Sequence, residues 1–153
     1  MDPVTAIGLA ANIMSFIDYS AKVISASIDI YGSVSGNTQD SRKSDVIATE
    51  MRRFAAKLQP PSTAQVSGEE KALCNLATEC EALAKRILDL LEKLKPKNRK
   101  SKSSSLVAGL KTKFYEGERR KLEEQLSSCR NQLDLQLNYL TRWVVSLLQA
   151  AKC

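Results

Sequence analysis

The chain has 153 residues, of which 23 are Lys or Arg, 17 are Asp or Glu and none is His, so its formal net charge is +6 at pH 7. This length suits one domain with a single core that needs neither disulfides nor metal. The four cysteines have no repeating close spacing and no histidine beside them, which argues against zinc and for reduced thiols in a cytoplasmic protein. Since there is also no phosphate-binding glycine loop, we expect no catalytic activity and no cofactor.

Helix-forming residues dominate the chain, and polar residues do not alternate with β-branched ones over any useful length. The predicted fold class is therefore all-α, an antiparallel bundle of four to five helices with a long apolar N-terminal helix at its centre. The chain is expected to form one domain, residues 1–153. The predicted helices cover residues 3–33, 38–58, 68–95, 104–115 and 118–151, and a flexible basic loop covers residues 96–105.

The first predicted helix is the most apolar part of the chain. Asp2 is placed to cap it, and Pro3 suits its first position. Two apolar stripes run along it, both expected to be covered by other helices or by lipid. One stripe contains Val4, Ile7, Ala11, Met14, Ala21 and Ile28, and the other contains Leu9, Ile13, Phe16, Val23 and Ile30. The narrow polar strip contains Asn12, Ser15, Asp18, Lys22, Ser25 and Asp29.

The sequence does not predict that this helix is a constitutive transmembrane segment. The fifteen residues from Pro3 to Ile17 carry no charge, but roughly 20 are needed to span a bilayer. Asp18 and Lys22 interrupt any longer segment. The acidic start also lacks the basic region of a secretory signal.

The later helices carry clearer core patterns. In the second, the residues expected to face inward are Val46, Ile47, Met51, Phe54, Ala55 and Leu58. In the third, Leu73, Cys80, Ile87 and Leu94 repeat by seven beside Leu76, Leu83 and Leu90. A break or bend is expected near Gly117. After it, the expected core stripe is Leu122, Leu126, Cys129, Leu133, Leu137, Leu140, Val144 and Leu147, with Trp143 packing against the core or an interface.

Positive charge is concentrated in residues 93–121, which hold eleven Lys or Arg against two Glu. Near an anionic leaflet each basic side chain contributes about 1 kcal/mol of binding. The candidate residues for anionic lipid are Lys95, Lys97, Arg99, Lys100, Lys102, Arg119, Arg120 and Lys121. A simple solvated loop is an alternative interpretation. Nucleic acid is disfavoured, because no aromatic residues are interleaved for base stacking.

The N-terminal residues also carry a family resemblance. The matching residues are Met1-Asp2-Pro3, Thr5-Ala6, Gly8-Leu9-Ala10, Asn12-Ile13, Phe16, Asp18, Ser20, Lys22, Ile30-Tyr31 and Ser35-Gly36, with a later match between Phe114 and Leu140. In these residues the chain resembles the N-terminal domain of many fungal STAND receptors, which are NLR-like. There the domain precedes a NACHT or NB-ARC module or ankyrin-type repeats, and part of the group is HeLo-like, similar in architecture to the helical bundle of the MLKL executioner protein.

The resemblance implies a signalling domain controlled by oligomerisation, with a membrane-directed output that includes cell death. It implies self-association on activation, recruitment from the cytoplasm to the plasma membrane, and no catalytic residues. The candidate residues for a membrane or a partner are then Val4, Ile7, Leu9, Ile13, Met14, Phe16 and Ile17. The alternative is a helical adaptor that binds a protein partner without touching lipid.

Overall fold

The computed structural model describes residues 1–32, 38–60, 68–94 and 104–152, and within them the side chains of residues 1–27, 42–60, 68–94 and 113–152. The described part contains four helices and no strand. Their bounds are α1 Pro3–Gly32, α2 Thr38–Ala56, α3 Gly68–Leu94 and α4 Ser104–Ala150. The predicted all-α class is confirmed, and the first three helices lie within two residues of their predicted bounds.

The start of α1 is capped as expected. The Asp2 carboxylate accepts a hydrogen bond from the Thr5 backbone N–H at 3.0 Å and another from the Thr5 hydroxyl. These hydrogen bonds lower the pKa of Asp2 below its usual value, because they favour the charged carboxylate. The cap therefore satisfies one of the amide groups that a helix N-terminus leaves without a partner in the helix.

The helices form an antiparallel bundle in which α1 and α3 lie along the diagonal. Both contact α2 and α4 and also each other, whereas α2 and α4 do not touch within the described residues. Asn12 of α1 donates to the Lys57 carbonyl just after α2. Tyr19, further along α1, donates to the Ile47 carbonyl at the middle of α2, so these helices are antiparallel. In α4, Arg130 pairs with Asp18 at 3.1 Å, and Tyr115 donates to the Ile24 carbonyl at 3.2 Å. The predicted long apolar N-terminal helix is thus present, and it shares with α3 the property of contacting all three other helices.

Only one side of α1 enters the core, and this corrects the expectation that both apolar stripes are covered. The buried side combines the predicted stripe with small and polar residues: Ala6, Leu9, Ala10, Ile13, Phe16, Ile17, Ser20, Val23, Ile24 and Ser27. Most of the described part of the other stripe is exposed, namely Val4, Ile7, Ala11 and Ala21, while Met14 is half-buried. The reason is geometric. Helices α2, α3 and α4 cover the inner side of α1, and the side of α1 that points away from α3 has no helix of the described chain against it.

Helices α2 and α3 largely follow their predicted patterns. In α3, the buried residues include Leu73, Leu76, Cys80, Leu83, Ile87 and Leu90. After α2, Leu58 is also buried, and within α2 Met51 is buried while Ile47 and Phe54 are half-buried. Val46 was expected to face inward but is exposed, because it directly precedes the half-buried Ile47 and so points to another side of the helix.

The expected break near Gly117 is wrong, since α4 runs without interruption through 47 residues. Gly117 is exposed, and apart from its chain neighbours and the backbone of its own helix no atom lies within 4 Å of the position that a Cβ would occupy there. A helical glycine costs about 1 kcal/mol relative to alanine but keeps its N–H, so the hydrogen-bond ladder continues. Tyr115 and Leu122, on either side of Gly117, are both buried in the same core and favour one helix.

A buried polar contact joins the second half of α1 to α4. The Tyr115 hydroxyl hydrogen-bonds with the Ser27 hydroxyl, and the Ile24 carbonyl lies within hydrogen-bond distance of both, 2.8 Å from the Ser27 oxygen and 3.2 Å from the Tyr115 oxygen. Burial raises the pKa of Tyr115 above its ordinary value near 10. The sequence patterns did not predict this pair, because a serine and a tyrosine so far apart in the chain give no local signal.

Replacing Tyr115 by Phe is expected to cost about 0.5 to 1.5 kcal/mol at neutral pH, since it removes the hydroxyl but keeps the ring. The folded protein retains the Tyr115 proton to a higher pH than the unfolded chain, so this contribution to stability falls as the pH rises above 10. The variant should therefore lose less stability than the wild type between pH 9 and about 11. Urea unfolding of both proteins at both pH values measures the difference. If the wild type and the variant lose the same free energy of unfolding between the two pH values, the prediction is contradicted.

A candidate membrane-facing surface

The exposed face of α1 begins with apolar and small residues. Val4 is 78% exposed, and Ile7, Gly8 and Ala11 are also exposed. Further along the same face the residues become polar at Ser15, Asp18, Lys22 and Ser25. The N-terminal half of this face is therefore apolar and uncharged, which is unusual for the outer side of a bundle helix.

The structure divides the residues predicted to contact a membrane or a partner. Val4 and Ile7 are on the surface, and Met14 is half-buried at its edge. The other four, Leu9, Ile13, Phe16 and Ile17, are buried in the core. In the resting fold, only the first group can meet lipid or another protein.

Helix α1 passes a simple test for a membrane span. Among the described residues it is the only helix long and apolar enough, from Pro3 to Ser27, with a mean hydropathy of 1.2 in a window that is 39% buried. The core helix of a soluble protein passes the same test, so length and composition do not decide between the two. The span is longer than the fifteen uncharged residues considered in the sequence because it includes Asp18 and Lys22.

A second apolar surface lies at the end of α4. Leu140 is the last buried residue of this helix, and Trp143 and Val144 are half-buried. Beyond them Val145, Leu147 and Leu148 are exposed, Leu148 by 60%. The predicted core stripe of α4 is thus confirmed for Leu122, Leu126, Cys129, Leu133 and Leu140, is partly buried at Leu137 and Val144, and is wrong for Leu147.

The register of the bundle explains why this stripe emerges from the core. Asp18 of α1 pairs with Arg130 of α4 in antiparallel orientation. Val4 lies fourteen residues before Asp18 in α1, and Val144 lies fourteen residues after Arg130 in α4, so these two residues are at the same level of the bundle. Helix α4 therefore continues past the start of α1, and its last turns have no helix of the described chain beside them.

Apart from Phe114 and Leu135 of α4, the exposed large apolar residues of both helices lie at one end of the bundle. We call this surface the apolar end and define it as Val4, Ile7, Val145, Leu147 and Leu148. At the same end the Met1 α-ammonium group forms an ion pair with Glu70 of α3 at 3.1 Å. The apolar end thus contains the start of α1, the helix that is long and apolar enough to span a membrane, and the last turns of α4, which extend beyond the start of α1.

Asn12 does not belong to the freely exposed polar strip in which the sequence placed it. Its side-chain amide donates to the Lys57 carbonyl at 3.2 Å, and the residue is half-buried against the turn that ends α2. A glutamate here would place a carboxylate against a carbonyl oxygen and remove the donor. Ala11, which is exposed and makes no side-chain hydrogen bond, is the better site at which to introduce a charge on this face.

Three of the candidate lipid-binding cations lie within the described residues. Arg119 is half-buried between Glu116 and Glu123, at 3.4 and 3.8 Å. Lys121 pairs with Glu118 at 3.3 Å, and Arg120 is exposed. Exposed pairs of this kind contribute little, so an anionic headgroup can compete for the cations. The other five, Lys95, Lys97, Arg99, Lys100 and Lys102, lie outside the described residues.

The chain matches no model of a known protein family, no curated protein and no solved structure. Among the described residues, no group of three or more Cys, Asp or Glu side chains is placed to hold a metal ion.

Proposed function

We propose that this protein is the N-terminal signalling domain of a fungal NLR-like receptor of the STAND class, oligomerisation-controlled, membrane-directed and capable of inducing cell death. One observation carries the membrane role: the exposed start of the most apolar helix has no charge between Pro3 and Ile17. A helix with one buried and one apolar exposed side can contact lipid before any rearrangement.

Deeper insertion would draw the buried side of α1 out of the bundle. Removing Leu9, Ile13 and Phe16 from the core exposes side chains whose burial is worth about 1.5 to 3 kcal/mol each. Hydrocarbon is as apolar as the core, so lipid would return much of this free energy. The fifteen uncharged residues span about 22 Å as a helix, which reaches most of the way across a hydrocarbon layer of about 30 Å.

Self-association on activation fits the same end of the bundle. Val145, Leu147 and Leu148 extend a core-facing pattern beyond the helices that cover it, and a second copy of the chain would supply the missing cover. Oligomers would also place several copies of α1 side by side at the membrane. In this proposal the resting domain is cytoplasmic and is recruited to the plasma membrane after it oligomerises.

The alternative function is a helical adaptor whose apolar end binds a protein partner and never meets lipid. Exposed leucines on a helix are also typical of helix-to-helix docking, which is the observation that keeps this alternative open. Flotation of the purified domain with vesicles containing anionic lipid tests the two against each other. Flotation that requires anionic lipid supports the membrane role, and its absence for both monomer and forced oligomer supports the adaptor.

We predict that reversing four charges in the basic segment, the loop predicted at residues 96–105, will abolish flotation with anionic vesicles. The helical circular dichroism signal should stay unchanged. The variant carries Lys97→Glu, Arg99→Glu, Lys100→Glu and Lys102→Glu. Each cation near an anionic leaflet contributes about 1 kcal/mol, so losing four attractions and adding four repulsions should reduce binding by at least 10³-fold, roughly. Wild-type binding should also weaken as salt is added.

The matched control makes the same change in net charge on exposed residues elsewhere. It carries Arg42→Glu, Lys43→Glu, Arg52→Glu and Lys71→Glu. If the segment binds lipid locally, the control should retain much more binding than the first variant. Equal losses would mean that only the overall charge matters, and unchanged flotation of the first variant would remove the segment from the membrane model.

A further inference from the structure

Two thiols from different helices face each other inside the bundle. Cys80 of α3 and Cys129 of α4 are 0% and 3% exposed, and Cys129 shares the wall of one groove with Glu79, the residue directly before Cys80. The sequence patterns treat the two only as separate core positions on their own helices. The antiparallel packing of α3 and α4 brings them together, as it does Arg86 and Gln125 one to two turns away.

One of the two thiols can be reached from outside. An open groove of about 300 Å³ runs along the α3 and α4 junction, and Cys129 forms part of its wall. The other lining residues are Glu79, Ala82, Leu83, Arg86, Gln125 and Ser128. Cys80 is not among them and is 0% exposed. A small neutral molecule such as hydrogen peroxide can therefore approach the Cys129 sulfur first.

We propose that Cys80 and Cys129 are a redox pair that hydrogen peroxide converts into a disulfide joining α3 to α4. The Cys129 thiolate attacks one peroxide oxygen, the O–O bond breaks, and the departing hydroxide takes up a proton as water. The sulfenic acid formed on Cys129 is then attacked by the Cys80 sulfur. The S–S bond forms as the S–O bond breaks, and the second oxygen leaves as water, so two thiols are oxidised and one peroxide is reduced.

The protonation of the pair agrees with these roles. The hydrogen bond from Cys80 lowers the pKa of Cys129, although burial opposes this effect. The same hydrogen bond, together with burial, raises the pKa of Cys80. Cys129 is the thiol at the groove, and its thiolate is the reactive form. Cys80 retains its proton and is placed to resolve the sulfenic acid.

The disulfide would close the chain between residues 80 and 129. A cross-link over a loop of this length should raise the thermal unfolding midpoint by an amount on the order of 10 °C. It joins α3 to α4 and leaves α1 without a covalent tie. The inference therefore stands or falls independently of the proposed membrane role.

The test uses the variant Cys74→Ser/Cys153→Ser, in which only the pair remains. The folded protein is treated with hydrogen peroxide, the free thiols are alkylated, and the intact mass is measured. We expect the protein to lose two hydrogen atoms, to take up no alkylating agent and to gain on the order of 10 °C in midpoint. Dithiothreitol should reverse all three changes.

Adding Cys80→Ala to this background is the control, and it should give a Cys129 sulfenic acid without the rise in midpoint. If that variant does not fold, peptide mapping of the oxidised wild type decides the question by locating the cross-link. The inference is overturned if both thiols stay open to alkylation, if Cys129 is oxidised to sulfinic acid without a cross-link, or if the disulfide forms only between molecules.

Discussion

Replacing Ala11 by Glu is expected to abolish membrane permeabilisation and cell killing while the bundle stays folded. Ala11 is exposed on the apolar part of the α1 face, so a glutamate there meets water in the resting domain and costs only a few tenths of a kcal/mol in helix propensity. In a lipid-buried helix the same carboxylate costs on the order of 2.5 to 3.5 kcal/mol. That cost reduces insertion by roughly 100-fold per subunit, and an oligomer incurs it in every copy.

The matched control is Ala11→Gln, which has nearly the same size and no charge. Wild type and both variants are compared after forced oligomerisation in fungal cells, at equal abundance and equal unfolding midpoint. Dye release from anionic vesicles provides the second measurement. We expect toxicity and dye release from the wild type and Ala11→Gln only. Equal toxicity of Ala11→Glu, or none from any of the three, would reject insertion and leave the adaptor function ahead.

Replacing Leu133 by Ala is expected to destabilise the domain by about 2 to 5 kcal/mol, because the side chain is fully buried and its loss leaves a cavity. The midpoint of thermal unfolding should fall by roughly 5 to 20 °C for a domain of this size. Urea unfolding followed by circular dichroism gives the free energy directly. The predicted loss is large because a typical domain has only about 5 to 15 kcal/mol of net stability.

The same helix offers a matched control two residues away. Leu135 is 68% exposed, so Leu135→Ala should change the free energy of unfolding by no more than about 0.5 kcal/mol. The comparison holds residue type, helix and helix propensity constant and varies only burial. Equal effects of the two substitutions would show that the assigned inner face of α4 is incorrect.

Several elements of the fold could be predicted because their causes are local or periodic. Asp2 and Pro3 mark the start of α1 through capping and a preset backbone angle, and both effects involve only neighbouring residues. The heptad pattern of α3 identified its buried side, since that side differs clearly from its charged one. Gly117 led to a wrong prediction of a helix break. Its helix-propensity cost of about 1 kcal/mol is local, whereas the core packing of the residues on both sides of it, which keeps the helix continuous, is not visible locally.

The candidate site was predicted only in part. The sequence identified α1 as the apolar helix but grouped Val4 and Ile7 with Leu9, Ile13 and Phe16, although the structure places the two groups on different sides. Asn12 was assigned to the solvent, yet it hydrogen-bonds to the end of α2. Contacts of this kind join residues far apart in the chain, and no local pattern contains them.

The sequence by itself determined that this protein is helical, where three of its helices lie and which helix is most apolar, because these properties depend on residues within a few turns of one another. Only the tertiary structure decided which stripe of α1 is covered. It also decided that α4 extends beyond its neighbouring helices and that Cys80 packs beside Cys129. Each of these depends on how many helices surround a given face and in which register they pack. Burial is a property of the assembled bundle, so equally apolar stripes of one helix can have opposite environments.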